Sequence, residues 1–306
     1  MFNPQHCGLF FTTQQLEYAR KNAAREPFAA ALNALRQQQA EGVAAVQWAA
    51  LRYRFLQDHD AGEIALTTLV NLLAGDVERL SYFDLISESL VLAQVFELLR
   101  EHPAATPAHS ARWRDWLHDR VGLVNEHVYD KDLLETTWTA LLNMAAGVVL
   151  EREPVFAAGI RVFQDVVARE ISPRGHVEFA VKHGVGSAML RSVLAVEALV
   201  LMAEIAAHSG VDLWRYEVRG VSVMTGALYP IYYFYVTDKW QWEAISPEEV
   251  QAIFRAHGGY LEIINRRHQP RDIKPLLEDL RPIYDPRAGG LVTLTHGLVL
   301  RRGLFG

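Results

Sequence analysis

Apolar positions recur along most of the chain at helical spacing. Thr12-Thr13-Gln14-Gln15 offers an N-cap and a polar first turn, after which Leu16, Ala19, Ala23, Phe28, Leu32 and Leu35 follow at roughly the helical period. The same period predicts helices over 43–56, 63–73, 83–100, 109–128, 133–150, 155–170, 188–207, 211–235 and 247–265. The connections are short and carry Pro, Gly or Asp, as in Asp58-His59-Asp60-Ala61-Gly62 and Gly75-Asp76. Only the stretch 289–297, Gly-Gly-Leu-Val-Thr-Leu-Thr-His-Gly, alternates with β-branched residues and reads as a short strand. Helices joined by short connections pack as antiparallel hairpins, which fit a bundle, an α-solenoid or a closed α/α toroid. No fixed-period self-similarity runs through the chain, which argues against an open solenoid. The expectation is one all-α domain over residues 1–306.

Composition narrows the partners. Half of the 306 residues are hydrophobic, enough for a large core. The net charge of −6 and the scattered Lys and Arg speak against nucleic acid and anionic membrane as partners. The longest apolar run, 193–205, is interrupted by Glu197 and Glu204 and is too short to span a bilayer. Cys7 is the sole cysteine, so neither an internal disulfide nor a thiolate metal cluster can form. Residues 1–6 lack the basic and apolar regions of a signal peptide. A periplasmic or secreted location follows if a signal has been removed, and a cytoplasmic one otherwise. His109 and His118, nine residues apart beside Trp113 and Trp116, make a poor metal pair. There is no His-Glu-x-x-His, phosphate loop, dinucleotide fingerprint or Gly-x-Ser-x-Gly elbow. No metal or organic cofactor is implied, and nothing indicates an oligomeric state.

Three segments carry a resemblance. The first is Leu9-Phe10-Phe11-Thr12 with the helix after it, and the second is the helical run from Trp138 to Leu150. The third extends from Gly175-His176-Val177-Glu178 through Met202-Ala203-Glu204 to Gly210-Val211-Asp212-Leu213-Trp214, with Arg281-Pro282 and Gly289-Gly290 further on. Together they resemble the alginate lyase-like polysaccharide lyases. The resemblance implies an incomplete α/α toroid or barrel of antiparallel helical hairpins, with a long groove for an acidic polysaccharide or oligosaccharide. It is stronger for fold than for activity. Counting back from Trp138, the family's Asn-Asn-His falls on Leu133-Leu134-Glu135, and the stretch that holds its Tyr reads 182–191 here, without a Tyr. Two leucines can neither neutralise a sugar carboxylate nor transfer a proton. Glu135 could act as a base but would repel an anionic sugar, and as a first-turn residue it suits the helix dipole.

β-Elimination of a uronic-acid polymer needs a base for the C5 proton, an acid for the departing O4, and a cation or amide on the carboxylate. The densest set of suitable groups is Arg174, His176, Glu178, Lys182, His183 and Arg191. It reads as a groove-lining loop with His176 or His183 as acid or base and Lys182 or Arg191 on the carboxylate; read plainly, it is a polar, solvated connection between helices. The aromatic run 229–235, with Trp240 and Trp242 after it, offers rings for sugar stacking or for the core. Trp240, Trp242, Tyr232 and Trp138 are the candidate sugar contacts, with Tyr53 and Tyr82 beyond them. The expected function is a polysaccharide lyase acting on alginate or a related polyuronate. The alternatives are a catalytically degenerate carbohydrate-binding toroid and a scaffold for peptides or proteins.

Overall fold

The computed structural model describes residues 2–73, 80–126, 132–182 and 186–300. Thr12 caps α1 (Thr13–Lys21) in a reciprocal capping box with Gln15. The apolar period continues past Lys21, but the helix does not. The Asn22 N–H bonds back to Tyr18 and Ala19, and Pro27 lies where a continued helix would need a donor, so α2 (Phe28–Gln37) starts afresh. Next come α3 (Gly42–Leu56) and α4 (His59–Leu72). The latter begins earlier than its apolar pattern suggests, because the Asp58 carboxylate accepts from the Ala61 N–H. Then follow α5 (Tyr82–Leu99), α6 (Pro107–Glu126), α7 (Leu133–Val149) and α8 (Glu153–Arg169). After the short α9 (Glu178–Lys182) comes α10 (Ala188–Ala207), whose side chains are buried almost all round. Its sequence is therefore apolar on every face.

The predicted helix over 211–235 begins only at α11 (Val223–Tyr235). Ahead of it lies a two-strand hairpin, β1 (Glu217–Val218) with β2 (Val221–Ser222), turned by Arg219 and Gly220 at φ 55° and 76°. The predicted 247–265 helix is two, α12 (Pro247–His257) and α13 (Gly259–His268). Between them a Cβ on Gly258 would stand 2.2 Å from the Phe254 carbonyl oxygen. An unanticipated α14 (Ile273–Leu280) follows. The predicted strand over 289–297 shrinks to Gly290–Leu291 (β4), paired antiparallel with Tyr284–Asp285 (β3), and the chain then coils into α15 (Val292–His296).

The helices form a ring. α3 packs on α5, α5 on α7, α7 on α10, α10 on α13 and α13 on α15, while α15 reaches α1 and α2. α4, α6 and α8 back α3, α7 and α7 again from outside. A buried amide network pins the last hairpin to this ring. Gln47 donates to Gln94 and to the Pro286 carbonyl, Gln94 donates to the Gly289 carbonyl, and Tyr284 donates to Gln47. These bonds satisfy two amides that would be costly to bury unpaired.

Candidate functional site

The N-terminal ends of α7 and α10 lie together. Asp132 caps α7 by accepting from the Glu135 N–H at 2.9 Å, and its other oxygen meets Arg191 of α10 at 2.7 Å. Ser187 supplies no side-chain cap to α10. Glu243 does so instead, accepting from the N–H groups of Ala188 at 2.8 Å and Met189 at 2.7 Å. An anion is favoured there by the unpaired amides and the helix dipole. Glu243 follows Trp242, so this cap also fixes the Trp242 backbone.

Trp242 enters a polar and aromatic cluster built from α9, α11 and the loop before α9. His176 has Ser172 Oγ 2.9 Å from Nδ1 and Glu178 Oε1 3.1 Å from Nε2. Its ring centroid lies 5.1 Å from that of Trp242 and 5.8 Å from that of Tyr229. The Tyr229 oxygen accepts from Trp242 Nε1 at 3.0 Å and from Tyr233 at 3.3 Å. That leaves Tyr229 its own proton to donate. Burial and the neighbouring Tyr229 push the Tyr233 hydroxyl up to about 12, so it remains a donor. Lys182 Nζ sits 2.6 Å from Glu178 Oε2; this bond holds the carboxyl below its usual range and raises the ammonium. The His176 loop can lie so close to α11 because Gly175 adopts φ 101°, and a Cβ there would meet the Thr225 carbonyl at 2.8 Å.

The structure thus brings together His176, Glu178, Lys182 and Trp242. It places Arg191 on the neighbouring helix, where Asp132 already neutralises it. Arg174 is exposed in the His176 loop. His183 falls outside the described residues. Glu135 sits in the first turn of α7, half-buried, with its backbone N–H bonded to the cap.

Several expected sugar contacts lie elsewhere. Trp240 is a core residue, 6% exposed, packed edge-on against Tyr233 and also touching Tyr229. The turn Thr237–Lys239 folds its ring inward. Trp138 has no exposed surface, because it lies on the inner helix α7 beneath the Arg287 guanidinium, 5.0 Å from its ring. Tyr53 packs edge-on against His102 and His59, and Tyr82 bonds to the Val124 carbonyl and Thr139. Tyr232 is half exposed on α11 and remains available. Composition does not reveal which ring a fold turns inward. Tyr229, which the sequence offers only as one ring of the run 229–235, and Asp132 and Glu243 were missed as site residues because His176, Arg191 and the first amides of α10, which they meet, are distant in sequence. Only Asp132 carries a local signal, as an Asp just before a helix start.

A recess of about 500 Å³ opens beside Phe83, His257 and Arg287, with Asp84 and Glu88 on its rim. Arg287 bridges inward to Glu197, 3.6 Å away and wholly buried. Among the described residues no group of His, Cys, Asp and Glu could hold a metal ion.

A ring of helical hairpins with a polar and aromatic cluster at one end defines an incomplete α/α toroid of the polysaccharide lyase type. The family model for alginate lyase matches residues 5–242, and the chain belongs to that family. Its fold is similar to that of alginate lyase A1-III from Sphingomonas species A1, with a TM-score of 0.72, 15% identity, and coverage of 88% of this chain and 78% of that one. A tetrasaccharide complex of a substituted A1-III aligns with a TM-score of 0.72 at 16% identity, covering 85% and 75%. An alginate lyase from Bacteroides ovatus aligns over 97% of this chain and 100% of its own, with a TM-score of 0.71 and 12% identity. Comparison with curated proteins returns no match.

Proposed function

We propose that the chain cleaves a uronic-acid-containing glycan, alginate or a related polyuronate, by β-elimination at the His176–Tyr229 cluster. The observation that carries this reading is the Tyr229 hydroxyl, held by two donors and beside an imidazole. Tyr229 is the acid that protonates O4 as the C4–O4 bond breaks. His176 takes the C5 proton on Nδ1, in exchange for its hydrogen bond with the Ser172 hydroxyl, and the electrons of the C5–H bond become the C4–C5 double bond. Glu178 then stabilises the imidazolium from the far nitrogen, as an orienting carboxylate does in hydrolytic triads. Lys182 and Arg174 are the cations for the sugar carboxylate, and Trp242 and Tyr232 are the rings along the chain.

The test is incubation with a panel of uronic-acid polysaccharides and neutral glycans, followed at the ultraviolet absorbance of the 4,5-unsaturated product. A rise with one polymer, reduced about 100-fold or more by Tyr229→Phe or His176→Gln, is the expected result. A rise untouched by both changes removes this site, and a flat trace removes the lyase reading. A second reading, binding without cleavage, is favoured by one feature: where the family has its amides and imidazole, the chain has Leu133, Leu134 and Glu135, and the nearby Arg191 of α10 is occupied by Asp132. Retention of the protein on immobilised polyuronate, with no product formed, would select it.

A further inference from the structure

At the far end of α10, the buried Glu204 carboxylate collects four groups. Trp214 Nε1 lies at 3.2 Å, Arg267 Nε at 2.8 Å, His208 Nε2 at 3.1 Å and His296 Nε2 at 3.4 Å. None of them serves the His176–Tyr229 cluster. Glu204 is about 20 Å along the helix axis from Arg191, at 1.5 Å per residue. The result is an arginine held from behind. Its Nε is tied to Glu204, while its two Nη groups have no hydrogen-bond partner among the described residues, and the side chain is about one-third exposed. A guanidinium fixed through Nε presents its remaining donors as a planar fork, the geometry that matches a carboxylate.

This fork lines a recess of about 470 Å³, together with Trp214, Arg215 and His268. The Trp214 ring is flanked by Arg267, 6.0 Å from its centroid, and by His268 at 5.2 Å. Asp212, on the rim, holds Arg215 at 3.3 Å. The rest of the lining is Ala207, Gly210 and Val211, which present no charge. The volume falls within the range of small-molecule sites, more than a bare oxyanion fills.

We propose that this recess is a second binding site, apart from the His176–Tyr229 cluster, that takes the carboxylate of a sugar acid on the Arg267 fork with the ring lying over Val211 and Gly210. The choice of a sugar acid rests on the acidic-glycan reading above; the oxyanion chemistry of the fork does not. On a toroid that handles an acidic polymer, such a site tethers a neighbouring stretch of the same chain.

The test titrates the intact protein with sodium glucuronate, glucose and inorganic phosphate while following the Trp214 indole N–H by NMR, assigned through Trp214→Phe. Saturable displacement by glucuronate but not by glucose is expected. Arg267→Lys should weaken it about tenfold or more, since an ammonium cannot form the fork. Arg215→Ala, on the exposed rim where folding is not at stake, should weaken it about 2–5-fold. A response to phosphate alone, no response at all, or a response that survives both changes would overturn the proposal. Tyr229→Phe should leave the titration unchanged. A flat absorbance trace with this binding intact therefore counts against the lyase reading only, and cleavage without any indole response counts against this site only.

Discussion

Two glutamates two turns apart on α10 are both fully buried, yet their surroundings drive them in opposite directions. Burial raises the Glu197 carboxyl well above the usual range and Asp285 adds to this, against the weaker pull of Arg287. A carboxyl whose folded pKa exceeds its unfolded one of about 4.3 contributes stability that is complete below that value and lost as pH rises through the folded pKa. Glu197→Gln should therefore stay within about 1 kcal/mol of the native protein below about pH 4.3 and become the more stable of the two as pH rises toward neutral. It should flatten the loss of stability over that range, measured as the denaturant midpoint against pH. Glu204 is also opposed by burial, but hydrogen bonds from His208 and His296 prevail and hold it well below the usual range. Its contribution is present above about pH 4.3 and vanishes as pH falls through its folded pKa. Glu204→Gln leaves Arg267 without its counter-ion, but that side chain is about one-third exposed, so the cost should be about 1–3 kcal/mol in chemical denaturation.

At the scale of elements, periodicity located α3 and α10 almost to the residue: 42–56 found against 43–56 expected, and 188–207 in both. Both are helices whose apolar content starts and stops sharply. Periodicity could not see the break at Gly258 or the hairpin before α11, since these depend on a carbonyl contact and on left-handed backbone rather than on which residues are apolar. α14 went unnoticed because its apolar face is only two turns long, and short helices owe their stability to packing. The loop between α8 and α9 carries His176 of the proposed site, and Gly175 sets its approach to α11. Gly175→Ala would impose both a strained φ and a clash with Thr225. It should lower stability by about 1–3 kcal/mol, and product formation more than Tyr232→Phe does, compared by thermal melting and initial rates.

For the whole molecule, the ring explains why α10 has no polar face: it is packed against α7, α8, α11, α12 and α13 at once. If residues 1–306 are a single domain, as we propose, the α10 core and the α3–α5 wall should unfold together. Tryptophan fluorescence and far-ultraviolet circular dichroism should then give one coincident denaturant transition, and two separated transitions would argue for independent units. The all-α hairpin architecture was legible in the sequence because its apolar period is helical nearly throughout, while the choice of a toroid among hairpin folds came from the resemblance carried by segments such as 138–150. The site was legible only in part. His176, Glu178 and Lys182 are neighbours in sequence and meet within one turn of chain. The cap from Glu243, the Asp132–Arg191 pair and the approach of His176 to Tyr229 each join distant segments, and no local pattern encodes them.

The packing of α10 also sets how far its two ends feel each other, with the buried Glu197 the one ionisable side chain between Arg191 and Glu204. Arg191 and Glu204 are about 20 Å apart along its axis, where two unit charges at an effective dielectric of about 20 interact by less than about 1 kcal/mol. Protonation or occupancy at one end therefore reaches the other only weakly. A titration curve recorded for the His176–Tyr229 cluster carries at most a small offset from the state of the Glu204 cluster, and any larger coupling between the two ends would have to travel as a displacement of the helix itself.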